Sequence, residues 1–296
     1  MAAGESPAAA RRRLRLALRR AREAEHLTQR QVAEALDWSL SKVNRIEAGE
    51  VTVSSTDLRA LLQLLGINDP EQVAALVDEA RAARRRGWWD KPEIREHLTT
   101  AMIQSVQFET EATAIRSFQP TVVPGILQTR AYASEVVNVW GGELPAADRD
   151  QRLEVRLRRR EQLFSRADPP EYLLVLDESV LLREVGGPRI MSEQLFDLLD
   201  MAAAGRVQVR VMPLAHAALY AVGLFVIYAQ DDEDVALYRE SNLGDEVSYS
   251  SETISRHREL FEQIWKRAMS PDASRHMIEA RAALLRSDAD RAEPGR

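Results

Sequence analysis

Apolar positions in the first 86 residues recur at helical spacing in five short blocks. Leu14, Ala17, Leu18 and Ala21 line one side of a helix over about residues 10–24, with arginines on the other side. Val32, Ala33 and Leu36 do the same over 28–36, and Leu40, Val43 and Ile46 over 39–48. The flanking residues set the bounds. Thr28 with Gln31 three residues on reads as a capping box, Ser39 reads as an N-cap, and Gly49 suits a left-handed helix stop. A fourth helix is expected over 55–65 with Gly66 as its stop, and a fifth over 69–86 with Pro70 in its first turn.

Beyond Gly87-Trp88-Trp89 the helical pattern continues to about residue 163, broken by Pro120, Pro124-Gly125 and Gly141-Gly142. The period then shortens. Segments 172–176, 207–211, 224–228 and 235–238 are β-branched or aromatic runs bounded by turn residues. A helix over 191–203 lies between the first two runs, and helices over 252–268 and 271–285 close the chain. The expected fold is mainly α with a smaller α+β part: a five-helix N-terminal domain, a helical middle, and a C-terminal mixed β-sheet flanked by helices. As domains, 1–9 and 287–296 read as disordered tails, 10–66 as a helix-turn-helix domain, 67–90 as a connecting helix and 91–286 as a domain that binds a partner or signal.

Composition changes the picture in one respect. The chain of 296 residues carries a net charge of −6, which looks wrong for a partner of nucleic acid. Residues 1–86, however, hold 15 Lys+Arg against 12 Asp+Glu, a net of +3, and 87–296 hold 25 against 34, a net of −9. The basic part coincides with the short-helix cluster, where attraction to phosphate is needed. Cysteine is absent, so disulfides, thiolate metal sites and a cysteine nucleophile are excluded and a cytoplasmic setting is expected. No apolar run approaches a membrane span, and no apolar stretch follows Arg11-Arg12-Arg13 as a secretory leader requires.

The chemistry concentrates in 26–49, where two short helices meet at the turn Asp37-Trp38-Ser39. At about 100° per residue, burying Leu40, Val43 and Ile46 turns Ser41 and Arg45 away from the core, with Lys42 and Asn44 beside them. A short helix with a polar, basic outer face fits the major groove of double-stranded DNA. Arg45 has the reach for a bidentate contact with guanine, Ser41 for a base edge, and Leu40 for a thymine methyl. Lys42 suits a phosphate, as do Thr28 and Gln29 at the start of the preceding helix. One such helix meets few bases, so a homodimer on a two-fold operator is expected.

The segment resembles the XRE-type, lambda-repressor-like helix-turn-helix, a five-helix domain that the likeness places over about residues 10–66. The resemblance implies that Gln29, Leu40, Ser41 and Arg45 contact DNA. It also implies that Arg22 and Glu47 face inward as an ion pair, and that His26, where a glycine is usual, or a neighbour, adopts a strained turn. Further motifs, Arg84-Arg-Arg-Gly-Trp-Trp89, Glu109-Thr-Glu-Ala-Thr-Ala-Ile-Arg116, Val123-Pro-Gly-Ile-Leu-Gln-Thr129 and Leu176-Asp-Glu-Ser179, resemble the actinobacterial WhiJ-like or antitoxin-like regulators. That likeness implies a repressor whose C-terminal domain receives a small partner protein; a small-molecule ligand is the alternative.

Nothing else has the spacing of a reaction centre. The five histidines are scattered, Gly186-Gly187-Pro188 lacks the Lys and Ser/Thr of a phosphate-binding loop, and Asp231–Asp234 lacks the alternation of a calcium loop. No enzyme activity, cofactor or metal is therefore expected. Asp231–Asp234 reads as a solvated hairpin tip. Arg156-Leu-Arg-Arg-Arg160 reads as the wet face of an amphipathic helix, and Trp88-Trp89 as a staple between domains or a clamp on a ligand.

Overall fold

The computed structural model describes residues 7–47, 51–84, 87–140, 145–216, 222–230, 233–241 and 244–292. Gly49, Arg85-Arg86, Gly141-Gly142 and Asp231-Asp232 lie outside these residues, as do 1–6 and 293–296. The chain divides into two units, Met1–Lys91 and Pro92–Arg296.

Among the described residues the first unit holds five α-helices: α1 (Pro7–Ala24), α2 (Gln29–Ala35), α3 (Leu40–Glu47), α4 (Ser55–Leu64) and α5 (Pro70–Ala82). Their apolar stripes meet in one core of Leu14, Leu18, Val32, Ala33, Val43, Ile46, Leu58, Leu62, Leu76 and Val77, among others. Thr28 caps α2 and forms the reciprocal capping box with Gln31. Ser54 and Asp69 cap α4 and α5, and Pro70 occupies the first turn, where its missing N–H removes no helical bond. The domain limits differ from those read off the sequence. The segment 67–90 is not a connector, because α5 buries Leu76, Val77 and Ala80 in the core beneath α1. Arg13 fixes that packing with a fork on Glu79 at 2.6 and 2.9 Å. An amphipathic pattern reveals that a helix has a buried side, not which core it joins.

The second unit contains α6 (Pro92–Arg95), α7 (Thr100–Glu111), β1 (Ala114–Gln119), α8 (Arg130–Trp140), α9 (Ala146–Phe164), β2 (Glu171–Asp177), α10 (Glu178–Leu182), α11 (Pro188–Ala203), β3 (Gln208–Met212), β4 (Phe225–Gln230), β5 (Glu233–Ser241), β6 (Gly244–Ser248), α12 (Ser251–Arg267) and α13 (Pro271–Ala292). The architecture is the expected one, helical with a mixed sheet flanked by helices. The six strands run in the order β3-β2-β1-β4-β5-β6. The first three are parallel, and β4, β5 and β6 are antiparallel to their neighbours. Two strands escaped the sequence reading. β1, at the centre, lies in the stretch read as helical, and β6 closes one edge. α13 also extends to Ala292, so 287–292 are helical rather than tail; Leu285 and Ala289 are both buried on it.

Strand alternation divides the sheet into two chemically different faces. Phe118, Val175, Phe225, Ile227 and Leu237 point one way and pack on Ile254, Phe261 and Ile264 of α12. Phe225 meets Phe261 edge to face at 6.4 Å, an arrangement favoured by ring quadrupoles. The alternate positions Ile115, Ser117, Gln119, Tyr172, Tyr228, Tyr238 and Glu240 point the other way, and six of these seven are polar or phenolic. Among the described residues no helix is long and apolar enough to cross a membrane.

Candidate functional site

The α2–turn–α3 segment is built by local hydrogen bonds. Thr28 N–H donates to Gln31 Oε1 at 2.9 Å, and Gln31 N–H donates to Thr28 Oγ1 at 3.2 Å. The turn closes as Trp38 N–H donates to the Ala33 carbonyl at 2.8 Å, and Lys42 N–H donates to Ser39 Oγ at 3.2 Å. Two non-glycine residues take the left-handed conformation, His26 at φ +55° and Asp37 at φ +54°. His26 lies between α1 and α2 and Asp37 between α2 and α3, so both connections are too tight for ordinary backbone.

On α3, Val43 and Ile46 are buried, whereas Ser41, Asn44 and Arg45 are exposed. Leu40, at the first position, keeps 37% of its surface. The helix is tied down at its far end. Glu47 accepts from Arg22 Nε at 2.6 Å, from Arg22 Nη2 at 3.0 Å and from Gln29 Nε2 at 2.9 Å. Arg22 Nη1 donates to the Leu27 carbonyl at 2.8 Å. The hydrogen bond to Glu47 holds the Arg22 pKa above its ordinary value.

Three residues expected at phosphate are engaged within the protein. Thr28 is part of the capping box, and Gln29 is turned onto Glu47. Lys42 Nζ lies 3.1 Å from Asp57 Oδ2 and 3.7 Å from the centre of the Trp38 ring. The sequence reading missed Asp57 and Trp38 as partners of Lys42. Trp38 carried a signal, a large aromatic in a turn of polar residues. Asp57 carried none, since its approach depends on how α4 packs.

The second unit holds a cavity of about 70 Å³ on the polar face of the sheet. α7 packs on this face with α9 against it, and three arginines of the row 156–160 differ from the solvated face read off the sequence. Arg159 forks onto Glu109 of α7, with Nε 2.8 Å from Oε2, and both side chains are at most 10% exposed. Arg160 binds the Asp197 carboxylate at 2.7 and 2.8 Å. Arg156 donates to Gln128 Oε1 at 2.9 Å and lines the cavity. Arg156, Arg159 and Arg160 turn inward because an amide and two carboxylates wait for them, a pairing that spacing along one helix does not reveal, while Arg158 is exposed as read off the sequence. Asp234 likewise is no solvated tip: it accepts from Arg116 at 3.0 Å and its side chain is 8% exposed.

Burial shapes the titration of the cavity groups. It pulls the Arg156 pKa down to about 10, helped by the neighbouring charge of Arg159. Burial also opposes the Arg159 charge, but Glu109 outweighs it and holds that pKa above the ordinary value. Tyr172 and Tyr228 are raised by burial and then by the Glu109 charge, and Tyr238 by burial and then by Glu240. Glu240 itself is raised by burial and then by Asp245.

Comparison with known proteins gives two matches to family models. A helix-turn-helix domain matches residues 13–76, taking in the greater part of α1 to α5. A domain of unknown function, DUF5753, matches residues 103–280, which span the whole sheet, the helices on both faces and the cavity. No curated protein and no solved structure matches the chain.

Proposed function

We propose, for a chain that belongs to the DUF5753 family and whose helix-turn-helix makes it a DNA-binding transcriptional regulator, that α3 reads operator bases and that the second unit carries the regulatory input. The carrying observation is the outer row Ser41, Asn44 and Arg45, exposed on a helix whose opposite side is buried and whose end is clamped by Arg22 and Gln29 through Glu47. A rigid short helix with this face presents one long cation and two short polar groups to a groove. Arg45 takes the guanine edge, Ser41 and Asn44 the neighbouring edges, and Leu40 a thymine methyl. Because three or four side chains select too few base pairs, the regulator acts as a homodimer on a two-fold operator, and by occupying it represses. Arg45→Ala tests this. It should cost about 1–3 kcal/mol on the cognate duplex and much less on a scrambled one. Equal weakening of both in a fluorescence-anisotropy titration would show that Arg45 does not read a base. Sedimentation of the DNA complex checks the dimer; one chain per operator would end that part.

The input has two readings. A small partner protein, as in antitoxin-like regulators, calls for an apolar docking surface. The large exposed apolar residues described in the second unit are single ones on four segments: Val139, Leu182, Leu214 and Leu284. A small-molecule ligand calls for a buried recess with a few convergent polar groups. The cavity lined by Arg156, Gln119 and Glu240 favours the ligand, and the second unit is read here as a small-molecule sensor.

A further inference from the structure

The cavity groups differ in how far their hydrogen-bonding capacity is used. Glu109 and Arg159 satisfy each other through a two-point fork. Ser105 and Tyr228 share a hydrogen bond of 2.7 Å. Three lining groups are not so matched. Gln119 is 2% exposed and donates from Nε2 to Ser117 Oγ at 2.8 Å, while its buried Oε1 has no partner among the described residues. Arg156, a guanidinium with five donors, faces only the amide oxygen of Gln128 among them. Glu240 lines the same cavity with no ion pair to Arg156 within 4.0 Å.

Charge narrows the ligand. With Glu109 and Arg159 cancelling, the lining presents one cation, Arg156, one anion, Glu240, and one bare acceptor, Gln119 Oε1. A simple anion would gain Arg156 but face Glu240; a simple cation would gain Glu240 but face Arg156. A small molecule carrying both charges complements the set. Burial is the main cause of both the raised pKa of Glu240 and the lowered pKa of Arg156, so each charge is costly there without a partner in contact. The cavity volume of about 70 Å³ corresponds to roughly five waters. A ligand of roughly five to eight non-hydrogen atoms suits such a recess. The cavity runs along β1 from Ile115 to Gln119, where the parallel strands meet antiparallel β4.

We propose that this cavity binds a small amino-acid-like zwitterion, its carboxylate on Arg156 and its ammonium between Gln119 Oε1 and Glu240. The proposal rests on reading the second unit as a sensor. It is tested on the full chain by thermal unfolding and titration calorimetry with glycine, L-alanine and L-serine, beside propionate and ethylamine, which each lack one of the charges. At least one amino acid should raise Tm by about 5–10 °C at a hundredfold excess over its Kd. Propionate and ethylamine should each bind at least about tenfold more weakly than alanine. Glu240→Gln should bring alanine and propionate to within about threefold of each other. No heat and no Tm shift with any of the three amino acids overturns the proposal. So does propionate binding the unsubstituted protein as tightly as alanine, which needs no variant to fold. Operator affinity measured with and without the bound amino acid separates the two readings. Binding with unchanged operator affinity supports the site and sinks the sensor, while unimpaired operator binding with no amino-acid binding sinks the site alone.

Discussion

Each unit of this protein has a buried Arg–Glu fork at its centre, and the two forks sit in different company. Arg22–Glu47 is saturated: Gln29 supplies a third donor to the carboxylate, and the Leu27 carbonyl takes a guanidinium N–H. Nothing around it asks for a ligand, and its effect is to hold α3 still. Glu109–Arg159 is also mutually satisfied, but it stands beside Glu240, Arg156 and Gln119; among the described residues Arg156 donates only to Gln128 and Gln119 Oε1 has no partner. Buried polar groups favour a stable fold only when all their bonds are made. A complete network is therefore architecture, and an incomplete one beside a cavity marks a place for something else.

The comparison can be broken at several points. Glu109→Ala should have the largest effect, because it strands a largely buried guanidinium; the cost is about 3–5 kcal/mol in denaturant unfolding of the second unit. The double change Glu109→Leu with Arg159→Met should recover most of that loss, since a well-packed apolar pair of similar volume is often neutral or better. If the double variant is no more stable than the single, the fork does more than neutralise itself. Glu47→Ala should cost less, about 2–3 kcal/mol, because Arg22 keeps the Leu27 carbonyl and the nearby Glu23 carboxylate. It should nonetheless lower operator affinity strongly, although Glu47 is buried and touches no DNA. Unchanged affinity in a mobility-shift titration would show that α3 does not depend on this anchor.

A smaller effect is the pH response of Glu240. Its pKa is raised by burial and by Asp245, so the folded state favours the protonated form. The stability linked to that proton is present in acid and is lost as pH rises through the raised value. Glu240→Gln should therefore flatten the fall in Tm as pH rises above the ordinary carboxylate range. A wild-type Tm that climbs over this range, and falls only in the variant, would reverse the assignment. The smallest effect is at Lys42. Its exposed pair with Asp57 is worth less than about 1 kcal/mol, so Lys42→Ala should leave Tm nearly unchanged. Since Asp57 already offsets its charge, the salt dependence of DNA binding should change by well under one unit in Lys42→Ala. Asp57→Asn, by releasing the lysine, should steepen that dependence by up to about one. A full unit lost in Lys42→Ala would show that DNA strips Lys42 from Asp57.

These regions were unequally legible in the sequence. The three-helix core around Val32, Val43 and Ile46 was plain, because a 3.6-residue period and capping residues fix a helix locally. β1 was not. It follows α7 with no glycine or proline between, and its inward positions include Ser117 and Gln119, so neither a boundary nor an apolar alternation announces a central strand. The engagement of Lys42 with Asp57 and of Gln29 with Glu47 depends on which helices touch, and the outward-pointing wheel position of Lys42 alone suggested phosphate. The arginines of α9 were misread for the same reason. A charged row interleaved with Leu153, Leu157 and Leu163 looks like a wet face until a buried Glu109 is placed opposite.

The alternation of β1 has a genetic consequence. Arg116 and Phe118 face α12, while Ile115 and Gln119 line the cavity and Ser117 lies on the same side, so the apolar layer and the recess are two readings of one ribbon. A single-codon deletion at Arg116 would push Phe118 into the recess and Gln119 against Phe225, ruining both together. Frame-preserving indels in this strand are therefore closed as a route of change, and the recess can be retuned only by substitution at alternate positions. Relatives that keep the layer should keep a recess of the same shape and vary mainly in the side chains that furnish it.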